Sequence, residues 1–339
     1  ANGLIAGCSL LPMNSDTASL NEDSDHQTAL HEADAKTTEA PLIPNYDKPF
    51  EAATLYSLLV AEVAGQRQKF DISLANYLDQ AQQTQDPGIA ERATRIAQYL
   101  GINEYILESA LLWVKIAPKE AQAHQTLALA YMKEGKFSTA LSHLESVFDL
   151  VGASQFDFLA LNAQSLGEHE TLALLQQFEE LTQKHKEYAP LWMAQGALLL
   201  QLEDYSAALT VLNQALSLRE GYVAAAISKA RVLHKLDQHE EALALLDDLH
   251  EQLPKHKGIG VLRARILIDL KRFSEARAAF QYLAQQFPDD YSIQLSLGLL
   301  HIELEEYDQA IATLSPLTLK RNMADEAYFY LARIAESQE

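Results

Sequence analysis

Residues 189–222 read APLWMAQGALLLQLEDYSAALTVLNQALSLREGY, and the same layout returns every 34 residues from Pro87 to the end of the chain. With blocks opening at Pro87, Ala121, Gln155, Ala189, Val223, Lys257, Tyr291 and Asp325, residue types fall into columns. The eighth column holds Ala128, Gly196, Ala230, Ala264, Gly298 and Ala332, and the twentieth holds Ala140, Leu174, Ala208, Ala242, Ala276 and Ala310. The twenty-fourth carries Leu144, Phe178, Leu212, Leu246, Phe280 and Leu314. Phe137, Tyr205, Phe273 and Tyr307 share the seventeenth, and Pro118, Pro254 and Pro288 the thirty-second. Small residues at fixed places let two helices cross closely, and larger ones fill the space between layers. A proline without an N–H ends the second helix. One helical hairpin cannot cover its own apolar face, so each block buries surface against the next.

This register resembles the tetratricopeptide repeat, a pair of antiparallel helices. It implies an all-α fold, a right-handed α-solenoid, preceded by a disordered amino-terminal tether. The solenoid is expected over 49–339, with repeats at 53–86, 87–120, 121–154, 155–188, 189–222, 223–256, 257–290 and 291–324, and a partial one at 325–339. The first copy, Leu55–Gln80, is shifted by about one residue against the others. Block 155 fits worst, with Asn162 and Leu174 where small residues are expected, and block 87 carries Thr94 and Ile106 there. Polar Gln195, Lys229 and Arg263 occupy the usually apolar seventh column and read as snorkelling side chains. Pro316 falls inside a second helix and should kink or shorten it.

Hydrophobic residues make up 48% of the 339, enough for a continuous core of eight or nine hairpins. A net charge of −21 argues against nucleic acid, whose phosphates need a Lys/Arg surface. His31-Glu32 and His169-Glu170 have no second histidine at metalloprotease spacing, and there is no phosphate-binding Gly-x-x-x-x-Gly-Lys or Gly-x-Ser-x-Gly elbow. His124, His234 and His301 lie on first helices and read as ordinary helical histidines. The expectation is a binding surface, not an enzyme, with no catalytic residues, metal or cofactor.

The amino terminus carries a second signal. Ile5-Ala6-Gly7-Cys8 resembles a bacterial lipobox, which makes residues 1–8 the remnant of a lipoprotein signal peptide and Cys8 the lipidated residue. Ser9 at the next position fits export to the outer membrane. Residues 9–48 carry eight acids, Asp16, Glu22, Asp23, Asp25, Glu32, Asp34, Glu39 and Asp47, against Lys36 and Lys48. Such a stretch buries too little apolar area to order itself and is expected to be a flexible acidic linker. Its root-mean-square span would be roughly 35 Å. No run of 18 apolar residues reads as a transmembrane helix.

First helices of this repeat line its concave face through columns two, five, nine and twelve. Those columns supply a protein-binding groove of Phe156, Leu159, Met193, Leu200, Ile227, Val261, Ile268, Leu295 and Ile302, with basic Arg231, Lys235 and Arg265 beside Asp269 and Glu303. An apolar trough with a few charges suits a protein segment laid along it.

Two stretches carry a closer resemblance. LYSLLVAEVAGQR at 55–67, with FDISLANY at 70–77, and DPGIAERATR at 86–95 are similar to the opening of the gammaproteobacterial tetratricopeptide lipoproteins that partner the periplasmic carboxyl-terminal processing protease. The resemblance implies an outer-membrane-tethered scaffold on the periplasmic face. It would bind that serine protease and recruit protein substrates, peptidoglycan hydrolases such as endopeptidases, for proteolysis. The alternative within the same class is a pilotin or assembly lipoprotein for an outer-membrane machine such as a type IV pilus. A cell-wall enzyme is a third reading, disfavoured because no nucleophile or metal set is present.

Overall fold

The computed structural model describes residues 51–338, and these divide into an amino-terminal unit ending at Leu218 and a carboxy-terminal unit beginning at Arg219. Cys8 and the acidic 9–48 stretch lie outside the described residues. The amino-terminal unit has five hairpins: α1 (Ala52–Gln66) with α2 (Phe70–Thr84), α3 (Pro87–Leu100) with α4 (Asn103–Ile116), α5 (Ala121–Lys133) with α6 (Phe137–Val151), α7 (Phe156–Asn162) with α8 (Glu168–Lys184), and α9 (Ala189–Gln201) with α10 (Tyr205–Leu218). The carboxy-terminal unit has α11 (Val223–Lys235) with α12 (His239–Gln252), α13 (Lys257–Asp269) with α14 (Phe273–Gln286), α15 (Tyr291–Glu303) with α16 (Tyr307–Leu314), and then α17 (Ala324–Gln338). The described residues contain no β-strand.

Six first helices open on the first column of their block, at Pro87, Ala121, Ala189, Val223, Lys257 and Tyr291. Two of these starts are fixed by aspartates. Asp86 accepts from Ile89 N at 3.1 Å with Pro87 at the head of α3, and Asp290 accepts from Ser292 N at 3.1 Å on α15.

The turn inside most hairpins repeats as closely as the helices do. Its fifteenth-column residue is left-handed: Gly101, Gly135, Glu203, Asp237, Lys271 and Glu305 have φ between 58° and 72°. One residue later the backbone N–H returns five positions, from Lys136 to Tyr131, Asp204 to Leu199, Gln238 to Leu233, Arg272 to Leu267 and Glu306 to His301. That bond satisfies a carbonyl left open at the helix end and fixes the angle at which the second helix leaves.

The small-residue columns have a direct packing reason. A Cβ added to Gly196 would stand 2.5 Å from Leu212 Cδ2, and one added to Gly298 would stand 2.4 Å from Leu314 Cδ2. Column eight thus lies against column twenty-four of its own hairpin. The cores follow from this. Ala61, Leu74, Tyr77, Ala93, Ile106 and Trp113 are buried together in the first unit, and Leu295, Ala310, Leu314, Leu317 and Ile334 in the second.

Two irregularities match misfits in the sequence. α16 stops at Leu314 and a 3₁₀ turn, Ser315–Leu319, takes over with Pro316 at its start, so the proline shortens the helix. α7 covers only Phe156–Asn162, followed by a 3₁₀ turn at Ala163–Ser165, whereas α5 and α9 each run for 13 residues. The left-handed turn is missing from this hairpin. Instead Gln201 of α9 donates to Leu166 O and Thr171 Oγ1, both at 3.1 Å, and holds the broken end in place.

The seventh-column polar residues do not all snorkel. Gln195 is buried and donates to Thr182 Oγ1 at 2.6 Å, so its amide is satisfied inside the core. Arg263 is half-buried and donates to Asp247.

Candidate functional site

The structure corrects the groove expected from columns two and five. Phe156, Leu159 and Met193 are fully buried in the amino-terminal unit, and Ile227 and Leu295 are buried in the carboxy-terminal one. None of these five offers surface to a partner. The reason is visible around Phe156, whose ring meets Phe178 on its own second helix and Phe148 on the preceding one, with Tyr188 closing the third side. These five first-helix residues are enclosed by neighbouring helices and belong to the core. The other groove residues keep partial surface. Leu200, Val261, Ile268, Ile302, Arg231 and Arg265 are half-buried, and Lys235 is exposed.

A different site appears in the amino-terminal unit. A cavity of about 550 Å³ lies along the first helices of three successive hairpins, lined by Gln98 of α3, Thr126, Leu129, Met132 and Lys133 of α5, and Phe158 and Asn162 of α7. Ser165, Gly101, Gly135, Ile106, Phe137, Ala130 and Asn103 complete it. The early end of α7 makes the space: a first helix of ordinary length would carry side chains past Asn162, where the 3₁₀ turn instead draws the chain aside.

The lining combines apolar and amide chemistry. Leu129 is 38% exposed, and Met132 and Phe158 are half-buried, so apolar surface faces the opening. Asn103 donates to Ala130 O at 3.1 Å, Asn162 to Phe158 O at 2.8 Å, and Gln98 to Thr126 Oγ1 at 3.4 Å. Lys133 is exposed at the rim and brings a positive charge. Such a surface can take an apolar side chain and hydrogen-bond the peptide groups on either side of it.

Most of these residues escaped the sequence reading, though a signal was available. Leu129 and Met132 stand in columns nine and twelve of block 121, the columns assigned to the concave face, and Asn162 is the misfit that marked block 155.

The histidines on first helices have defined partners. His124 is buried, with Nε2 3.1 Å from Pro118 O and Nδ1 3.0 Å from His143 Nδ1. His143 stacks on Tyr131, and burial followed by the neighbouring His124 pushes its pKa down. His301 is buried, with Nδ1 2.6 Å from Glu306 Oε2. No helix among the described residues is long and apolar enough to cross a membrane.

The comparisons with known proteins agree with this geometry. The profile described as "Tetratricopeptide repeat" matches residues 199–266 and 267–334. The hairpins have the fold of tetratricopeptide repeats. A TPR repeat-containing protein of Pseudomonas aeruginosa is 42% identical over 164 residues, which cover 48% of this chain and 28% of that one. The match therefore spans under a third of the relative's length. Among solved structures, a tetratricopeptide repeat protein from Parabacteroides merdae superposes with a TM-score of 0.51 at 12% identity, covering 84% of this chain and all of that one. At that identity the likeness concerns the fold alone. Repeats of this kind stack into extended surfaces on which protein segments can bind.

Proposed function

We propose that this protein is a non-enzymatic adaptor, tethered to the outer membrane through a lipid on Cys8, that holds a periplasmic carboxyl-terminal processing protease and brings protein substrates to it. The observation that carries the binding part is the cavity along α3, α5 and α7. Its apolar floor and flanking amides match an extended protein segment, and its size admits one or two large side chains. Burying one such side chain contributes roughly 1.5–3 kcal/mol. Support for the protease as partner comes from the resemblance of residues 55–67, 70–77 and 86–95, and support for the anchor comes from Ile5-Ala6-Gly7-Cys8. Peptidoglycan endopeptidases are the substrate class this reading expects.

The test is isolation of the full-length protein from cell envelopes in mild detergent, with and without Cys8→Ser. The proposal expects a serine protease of the carboxyl-terminal processing class to co-purify, and the variant to move to the soluble periplasmic fraction. A protein held by several acyl chains is stably anchored, and removing the acylated residue removes that anchor. Recovery of the Cys8→Ser protein with membranes refutes the anchor, and absence of that protease from the complex refutes the adaptor.

A further inference from the structure

α1 stands at the start of the amino-terminal unit, and no hairpin precedes it among the described residues. Its inward face holds buried Thr54, Ala61 and Ala64. The opposite face is largely apolar as well. Leu55, Tyr56, Leu59 and Val63 are 54%, 70%, 56% and 45% exposed. At 3.6 residues per turn these four, with exposed Ala52 and Gln66, fall within an arc of about 100°. That is the width of the apolar stripe a helix turns toward a core. Glu62, the one charged residue of α1, stands at the edge of the arc. There Tyr77 donates its hydroxyl to the carboxylate and Arg92 pairs with it at 3.3 Å.

A shortage of charge does not by itself produce such a face. α9 and α10 also lack Asp, Glu, Lys and Arg, yet α9 has no exposed residue, and the exposed residues of α10 are Ser206, Thr210, Asn213, Gln214 and Ser217. The end of a solenoid needs a polar outer face to stay dispersed, and α1 does not supply one.

Charge, shape and area together indicate what covers it. In a twofold contact each residue near the axis meets its own copy, so any charge there faces a like charge. The α1 arc is free of charge in a chain of net charge −21, which suits a second copy of that same chain. Leu55, Leu59 and Val63 make an i, i+4, i+8 ridge, and such ridges on two identical helices interdigitate at a crossing of about −50°. The arc exposes on the order of 500 Å² per copy, so a pair that covers both buries about 1,000 Å², the size at which an interface becomes specific.

We propose that α1 is the contact of a homodimer, packed on α1 of a second copy about a twofold axis near Leu59. Leu59, midway along the ridge, then meets Leu59 of the second copy. The contact is apolar, so it persists as salt rises, and screening of the repulsion between two acidic chains strengthens it. The test uses the full-length chain carrying Cys8→Ser, which leaves no native thiol. Sedimentation equilibrium at micromolar concentrations should show monomer and dimer exchanging, with dimer favoured at high sodium chloride. Leu59→Glu sets a carboxylate against its own copy and should weaken dimerisation on the order of a hundredfold or more. Val151→Glu, at a residue of α6 that is 60% exposed, should leave it unchanged. Leu59→Cys should form an intermolecular disulfide under mild oxidation, and Val151→Cys should not. This cross-link is read on a small, exposed substitution, so it does not depend on how the glutamate variant folds. A chain that is monomeric throughout overturns the proposal. A Leu59→Cys thiol that then resists alkylation assigns the face to the chain's own preceding residues, and a reactive one assigns it to a different protein. A dimer that withstands Leu59→Glu overturns the proposal as well.

Discussion

Gly298 and Leu314 meet so closely that the glycine has no room for a methyl group, and Leu314 is itself fully buried and cannot swing aside. Gly298→Ala should therefore lower stability by about 1–3 kcal/mol, the usual cost of overpacking a core, in a urea unfolding titration. Alanine at the same column in Ala128 or Ala230 costs nothing comparable, because those hairpins are built around it. His143 supplies a prediction of another kind. Its folded pKa lies below the unfolded value of about 6.5, so the unfolded chain takes up the proton more readily. Its contribution to stability is complete above that pH and is lost as pH falls through the lowered folded value. Melting temperatures at pH 7.5 and 5.5 should differ less for His143→Asn than for the unsubstituted protein, and an equal difference would show that His143 is not the group responsible. Residue columns were legible in the sequence because small and large side chains recur at fixed spacing. Exposure within a column was not. An apolar residue at column five reads alike in a core and in a groove, and Phe156, Leu159, Met193, Ile227 and Leu295 proved to be core because neighbouring helices close over them.

At the scale of the element, the hairpin turn shows how little of a repeat is left to chance. Its fifteenth-column residue is glycine at 101 and 135 but Glu203, Asp237, Lys271 and Glu305 elsewhere, all left-handed. A side chain in that conformation costs about 1–2 kcal/mol, part of which glycine returns as unfolded-state entropy. Lys271→Gly should then stabilise the protein by about 0.5–1 kcal/mol in thermal or chemical unfolding. Gly135→Ala should destabilise it by a similar amount, and equal stability for both variants would rule out strain at the turn. Helix starts were legible at six blocks, because each of those first helices opens on the first column of the 34-residue register. The shortened α16 was legible through Pro316. The break after Asn162 was visible only as a misfit, and the cavity it opens was not visible at all, since empty space depends on side chains that are absent rather than present.

For the whole molecule, the proposed partner surface is the cavity along α3, α5 and α7 and not a continuous apolar trough. Leu129→Glu with Met132→Glu places two charges on the exposed side of α5, where neither side chain is fully buried, so helicity should survive. If each residue contributes roughly 1.5–3 kcal/mol to a bound segment, the double variant should lose on the order of a hundredfold or more in affinity. The acidic exterior, net −21, keeps such a protein dispersed and sets no partner by itself. The most direct measurement is a reconstituted digestion containing the carboxyl-terminal processing protease, a peptidoglycan endopeptidase from the same organism, and this protein in unsubstituted or Leu129→Glu, Met132→Glu form. The account predicts that the endopeptidase is degraded rapidly only when the unsubstituted protein is present, and much more slowly with the folded double variant. Degradation at the same rate with and without the protein would contradict it.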